Sequence, residues 1–212
     1  MVKKIRTNGI GFLESVSGSD DWLWGSDYTN GDLYEAEELY DDGHAIKMNR
    51  LILVRKSDGK VYEPVTAKGG QYFGKPVFSE GKLVILLADF PQAVIRLLSF
   101  LPDTEKLDTL VTIPRTELEN CYNLMPQLSP LTLTRQAGGR FQVIWPEKAD
   151  FEIGVTESFC FRDGERLYFS KWFEDPDYRE ETVVRDLLSG EILEQYPGNA
   201  AEIAGGQFWV LI

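Results

Sequence analysis

Residues 157–198 read ESFCFRDGERLYFSKWFEDPDYREETVVRDLLSGEILEQYPG, four short β-type segments separated by three turns. Phe159 to Arg162 is an apolar run that stops at Asp163-Gly164, a dipeptide suited to tight hairpins. Leu167 to Phe173 follows, rich in aromatics that fit a pleated, half-buried surface. Glu174-Asp175-Pro176-Asp177 breaks it, because proline has no N–H for a ladder and acids favour turns. Thr182 to Leu188 is the third segment, and Ser189-Gly190 leads into the fourth, Ile192 to Tyr196, which ends at Pro197-Gly198. A four-stranded antiparallel sheet cannot bury both faces alone, so this unit needs neighbours of the same kind.

The whole chain has room for such neighbours. Its 212 residues are 43% hydrophobic, and five Trp, nine Tyr and twelve Phe favour strands over helices. The net charge of −12 argues against nucleic acid and anionic membranes as partners and is compatible with a basic one. Cys121 and Cys160 are too few for a disulfide scaffold and read as reduced. No apolar h-region follows the basic N-terminal residues, and no apolar run reaches eighteen residues. A cytoplasmic protein is expected.

Outward from the reference unit the same layout recurs. Lys75 to Phe78, Ser79-Glu80-Gly81 and Lys82 to Ala88 repeat its opening hairpin, and Leu83 to Leu87 is apolar enough to be buried on both faces. Val94 to Leu101 and Leu107 to Ile113 complete that unit, and a glycine-rich linker, Gly69 to Gly74, precedes it. Leu51 to Arg55 and Val61 to Glu63 flank the turn Ser57 to Lys60. Leu131 to Arg135, Phe141 to Trp145 and Phe151 to Val155 form a less regular set, after a helical turn within Thr116 to Leu124. Asp32 to Tyr40 fits either period; the Asn30-Gly31 turn before it favours a strand. Asn8-Gly9 predicts a hairpin over residues 3–16, and Gly205-Gly206 predicts another over 199–212.

The last turns of successive units fall near Asp58, Asp103, Glu147 and Gly190, at spacings of 45, 44 and 43 residues. Blade repeats run at about 40–50 residues. In layout and turns (RKSDGKVYEP, VFSEGKLVILL, FRDGERLYF, LLSGEILEQ) the chain resembles β-propeller repeat proteins, without the Trp-Asp ending of WD repeats or the paired glycines of kelch repeats. The expected fold is mainly β: one domain spanning 1–212, a five-bladed propeller whose fifth blade joins the two terminal hairpins. An irregular β-sandwich is the alternative.

Motifs for chemistry are sparse. His44, the only histidine, follows Asp41-Asp42-Gly43 in an apparent turn, and multi-histidine zinc sites are impossible. Ser57 to Lys60 and Ser79 to Lys82 match S-x-x-K but lie between strands, where that motif does not operate. Ser26 to Gly31 with Glu37 has a calcium-loop outline, yet Ser26 and Tyr28 stand where acids belong. No phosphate-cradling glycine motif is present, so neither a metal nor a cofactor is expected.

One cluster remains as a candidate ligand site: Asp20, Asp21, Trp22, Trp24, Asp27 and Tyr28. Aromatics beside carboxylates can stack on and hydrogen-bond a sugar, and paired carboxylates can cleave a glycosidic bond. The competing reading puts both tryptophans on one strand face, packing the core. The expected function is therefore a non-enzymatic module presenting a propeller rim to a protein partner. Carbohydrate binding or hydrolysis through that cluster is the alternative, and catalysis is left open.

Overall fold

The computed structural model describes residues 2–28, 31–203 and 207–212. The fold is mainly β, in several antiparallel sheets. It divides into two compact units, Met1–Cys121 and Tyr122–Ile212.

The first unit opens with a meander of β1 (Glu14–Ser15), β2 (Trp22–Ser26), β3 (Leu51–Arg55) and β4 (Val61–Tyr62). Between β2 and β3 runs a helix, α1 (Leu33–Asp41), where the sequence favoured a strand. A capping box decides it. The Asp32 carboxylate accepts from the Tyr34 and Glu35 amides (2.7 and 3.3 Å), and Glu35 Oε2 accepts from the Asp32 amide at 2.7 Å. Asp32→Ala should therefore destabilise the unit by about 1 kcal/mol, seen as faster amide exchange confined to α1; unchanged exchange there would remove the cap from the account.

The second sheet consists of β5 (Gln71–Phe73), β6 (Val77–Ser79), β7 (Lys82–Asp89), β8 (Val94–Leu101) and β9 (Lys106–Pro114). The order is β5-β7-β8-β9, and β6 also pairs with β7. β7 is buried on both faces from Leu83 to Asp89, as its apolar run predicted. Gly69 to Gly74, expected as a linker, contains β5. That strand is held by ladder pairs Gln71↔Asp89 to Phe73↔Leu87, and the Phe73 amide donates to Asn49 Oδ1 at 2.8 Å. The core joins Trp22, Leu51, Leu53 and Tyr62 of the first sheet to Phe73, Leu83, Ile85 and Phe100 of the second.

The N-terminal hairpin is a further correction. Asn8 and Gly9 do turn, with φ of +51° and +97°, but residues 3–13 contain no strand. Ile10 is instead buried against Ile52 and Val54, with Ile5 and Leu13 beside it. Burial of these side chains outweighs the ladder that the turn would otherwise start.

The second unit contains two four-stranded meanders. One is β10 (Met125–Gln127), β11 (Thr132–Ala137), β12 (Arg140–Trp145) and β13 (Ala149–Glu152). The other is the reference unit: β14 (Glu157–Asp163), β15 (Arg166–Phe173), β16 (Arg179–Asp186) and β17 (Ile192–Pro197), in sequence order. The two share a phenylalanine core of Phe141, Phe151, Phe159 and Phe169. The last sheet has two strands, β18 (Asn199–Ile203) and β19 (Gln207–Leu211). The turn expected at Gly205-Gly206 lies outside the described residues, as does Asn30 of the expected Asn30-Gly31 turn.

Candidate functional site

The residues singled out from sequence are split between core and surface. Trp22 is 5% exposed and meets the Tyr62 ring at 5.6 Å, and Trp24 packs against the same core cluster. Both lie on the same face of β2. Asp20, Asp21 and Asp27 are exposed. Asp27 Oδ1 accepts from the Arg50 amide at 2.7 Å, and the Asp21 carbonyl accepts from the Lys56 amide. Tyr28 is half-buried, edge-on to Tyr72 at 5.0 Å, and burial raises the pKa of its phenol. Asp27 thus holds a backbone amide and Trp22 fills the core with Trp24 packed beside it, so the segment presents no paired tryptophan platform.

Other motifs resolve similarly. Glu37, the residue in register for a calcium loop, is buried and already engaged: Arg115 Nε donates to it at 2.7 Å and the Cys121 amide at 2.5 Å. Thr29 and Asn30 of that loop lie outside the described residues. His44 is exposed just past α1. Ser57 to Lys60 lies in the turn between β3 and β4, and Ser79 to Lys82 closes the β6–β7 hairpin, its two ends paired in the ladder. Burial pushes the Cys160 thiol up to about 11, so it is not a thiolate at neutral pH.

A different surface brings recognition chemistry together, at the end of the β15–β16 hairpin. Ladder pairing sets Trp172 opposite Glu180 and Phe173 opposite Arg179. On one face, the Tyr178 hydroxyl donates to Glu180 Oε1 at 2.5 Å, which joins Trp172, Glu180 and Tyr178 into one patch. That hydrogen bond and the carboxylate's charge raise the pKa of the Tyr178 phenol. Trp172 is 39% and Tyr178 67% exposed. On the other face, the Arg179 guanidinium lies 4.2 Å and Lys171 Nζ 5.1 Å from the Phe173 ring centre. Arg179 also donates to the Asp175 carbonyl at 3.0 Å, which folds the loop back on the hairpin. Glu174, Asp175 and Asp177 are exposed around it.

From sequence this acidic loop reads only as a break between two strands. The signal was present as Trp172-Phe173 before the acids and Tyr178-Arg179 after them. Tyr, Trp and Arg are the side chains that dominate binding energy at protein interfaces.

Comparison with solved structures bears on the fold. The chain is similar to part of an acylaminoacyl peptidase in complex with Z-Gly-Gly-Phe-chloromethyl ketone, with a TM-score of 0.50 and 13% identity over 92% of this chain and 34% of that one. It is also similar to part of Porphyromonas gingivalis dipeptidyl peptidase 4, with a TM-score of 0.48 and 9% identity over 87% and 31%. The likeness is one of fold. The chain spans about a third of the length of either peptidase. Its antiparallel four-stranded sheets are consistent with a propeller-like domain. No family model matches the chain, and no curated protein matches its sequence.

Proposed function

We propose that the chain is a propeller-type interaction module that docks a protein partner at the tip of the β15–β16 hairpin. In this reading its five sheets are successive blades of a single domain, the last a two-stranded half-blade. The observation that carries the docking role is the exposed pair Trp172 and Tyr178, joined through Glu180 and rimmed by acids. Large amphipathic rings bind with little loss of rotamer entropy, and neighbouring carboxylates favour Lys or Arg on the partner. The same acidity disfavours nucleic acid and anionic membranes. No helix among the described residues is long and apolar enough to cross a membrane, and Cys121 and Cys160 are free thiols, which supports a reducing cytoplasmic setting. Nothing at Asp20 to Tyr28 favours the carbohydrate reading, since Trp22 is spent on the core.

Selection of a random peptide display library on the purified chain tests this. Sequences containing Lys or Arg next to an apolar residue should be enriched. Replacing Trp172 and Tyr178 together by Ala should weaken their binding by at least about tenfold, the effect of 1.4 kcal/mol. Equal binding of the same peptides to the double variant would rule out the tip as the docking surface.

A further inference from the structure

We infer that the two-stranded terminal sheet is completed by a second copy of the chain, β19 pairing antiparallel with β19 of the other copy across a two-fold axis. Three other sheets have four strands in simple order, whereas β18 and β19 pair only with each other among the described residues. The free edge of β19 is therefore a row of backbone donors and acceptors with no ladder partner, the kind of edge that recruits another strand.

The side chains specify what that strand should be. One face of the hairpin is already used: Phe208 stacks on Phe161 at 4.2 Å, and Ala200, beside Val210 in the ladder, is buried. The opposite face carries Trp209 and Leu211 at 51% and 54% exposure, and Ile212 beyond them is 97% exposed. Protected edge strands carry charge or proline. Residues 207–212, QFWVLI, have neither.

A net charge of −12 opposes self-association across most of this surface, and β19 is a strand without charge. Glu202, the acid of this hairpin, is on β18, one strand removed from the axis. Centring the two-fold on Trp209 sets Phe208 of each copy opposite Val210 of the other, and Gln207 opposite Leu211. Every pair is neutral, and the exposed indoles of both copies fall on one face. The product is a four-stranded sheet, β18-β19-β19-β18, with the strand number of its neighbours. Such an isologous contact closes on itself and uses the β19 edge of both copies.

Sedimentation of the whole chain over a wide concentration range should give a mass near twice 24.1 kDa. Trp209→Lys, which sets two ammonium groups against each other at the axis, should raise the dimer dissociation constant at least tenfold. Glu202→Lys should leave the dimer intact, as should the Trp172 and Tyr178 alanine variants, so failure here is separable from failure at the hairpin tip. If Trp209→Lys disturbs folding, cysteine cross-linking decides with the wild type as control. Opposed residues in antiparallel strands lie within disulfide reach, so Trp209→Cys should form a covalent dimer on oxidation and Gln207→Cys should not. A wild-type monomer at every concentration overturns the proposal, as do a dimer that survives Trp209→Lys and cross-linking that is no faster at 209 than at 207.

Discussion

Glu157→Ala is expected to cost about 3–5 kcal/mol of unfolding free energy, a large share of the roughly 5–15 kcal/mol that holds a domain together. Glu157 at the start of β14 and Arg185 near the end of β16 are both buried, on the core-facing side of one sheet. The pair is bidentate, Nε to Oε2 at 2.9 Å and Nη2 to Oε1 at 3.0 Å. Arg185 also donates to the Gly190 carbonyl at 2.8 Å and lies 6.0 Å from the centre of the Phe169 ring. Removing the carboxylate leaves a guanidinium in the interior with one backbone acceptor and no counter-charge, and desolvation makes that expensive. Replacing both partners by apolar residues, Glu157→Leu with Arg185→Met, removes the stranded charge and should recover most of the loss. Urea unfolding of the two singles and the double measures the coupling. A single variant within about 1 kcal/mol of wild type would mean the charge finds solvent and is not buried as described.

The parts of the fold legible in sequence were those fixed by local pattern. β7 falls where the unbroken apolar run Leu83 to Leu87 after the Ser79-Glu80-Gly81 turn puts it, and β14 to β17 match the four segments of the reference unit to within a few residues. The β6–β7 hairpin turns at Glu80-Gly81 with φ of +50° and +78°, backbone that glycine and short turns tolerate. What escaped was decided at a distance. β5 is three residues long and is defined by its ladder to β7 and by Asn49, 24 residues earlier. β10 is as short and contains Pro126, which discourages a strand reading. The α1 signal, Asp32 three residues before Glu35, is local and visible in the sequence, but the Asn30-Gly31 turn before it points to a strand. Residues 3–13 failed in the opposite sense, a correct turn whose flanks are claimed by tertiary packing.

The candidate site was less legible because alternation reports which residues share a face and not whether that face is covered. Trp22 and Trp24 were placed together correctly, and only the Tyr62 side of the core shows that they point inward. Trp172 and Tyr178 are aromatic too, and they reach the surface because β15 and β16 extend past the phenylalanine core and carry Trp172 and its Glu180 partner to the end of the ladder. Glu37 illustrates the same limit for acids. In sequence it belonged to a possible oxygen site, while in the fold its carboxylate neutralises Arg115, which also binds both oxygens of Asp41.

Phe141→Ala should be comparably damaging, at about 3–5 kcal/mol, because it removes the ring through which two sheets meet. Phe141 is on β12 and fully buried; it stacks on Phe159 at 4.9 Å and meets Phe169 edge-on at 5.1 Å, both in the neighbouring sheet. Phe151, from its own sheet, closes the cluster at 5.7 Å. The surroundings cannot collapse easily into the vacated volume. Gly190, at φ +71°, already sits so near Phe151 that a Cβ there would lie 2.2 Å from Cγ, and the Glu157–Arg185 pair fixes the other flank. A cavity walled by rigid groups retains most of its cost, whereas a site that relaxes does not. Phe141→Leu keeps apolar atoms in the space and should lose clearly less. Because the ring belongs to one sheet and its contacts to the next, amide protection should fall together in β12 and β15. Loss confined to β12 would show that the two sheets are stabilised separately. Phe141 and Glu157 flank the same cluster, so their double variant should lose less than the two single losses added, since the cavity gives a stranded Arg185 room to reorganise.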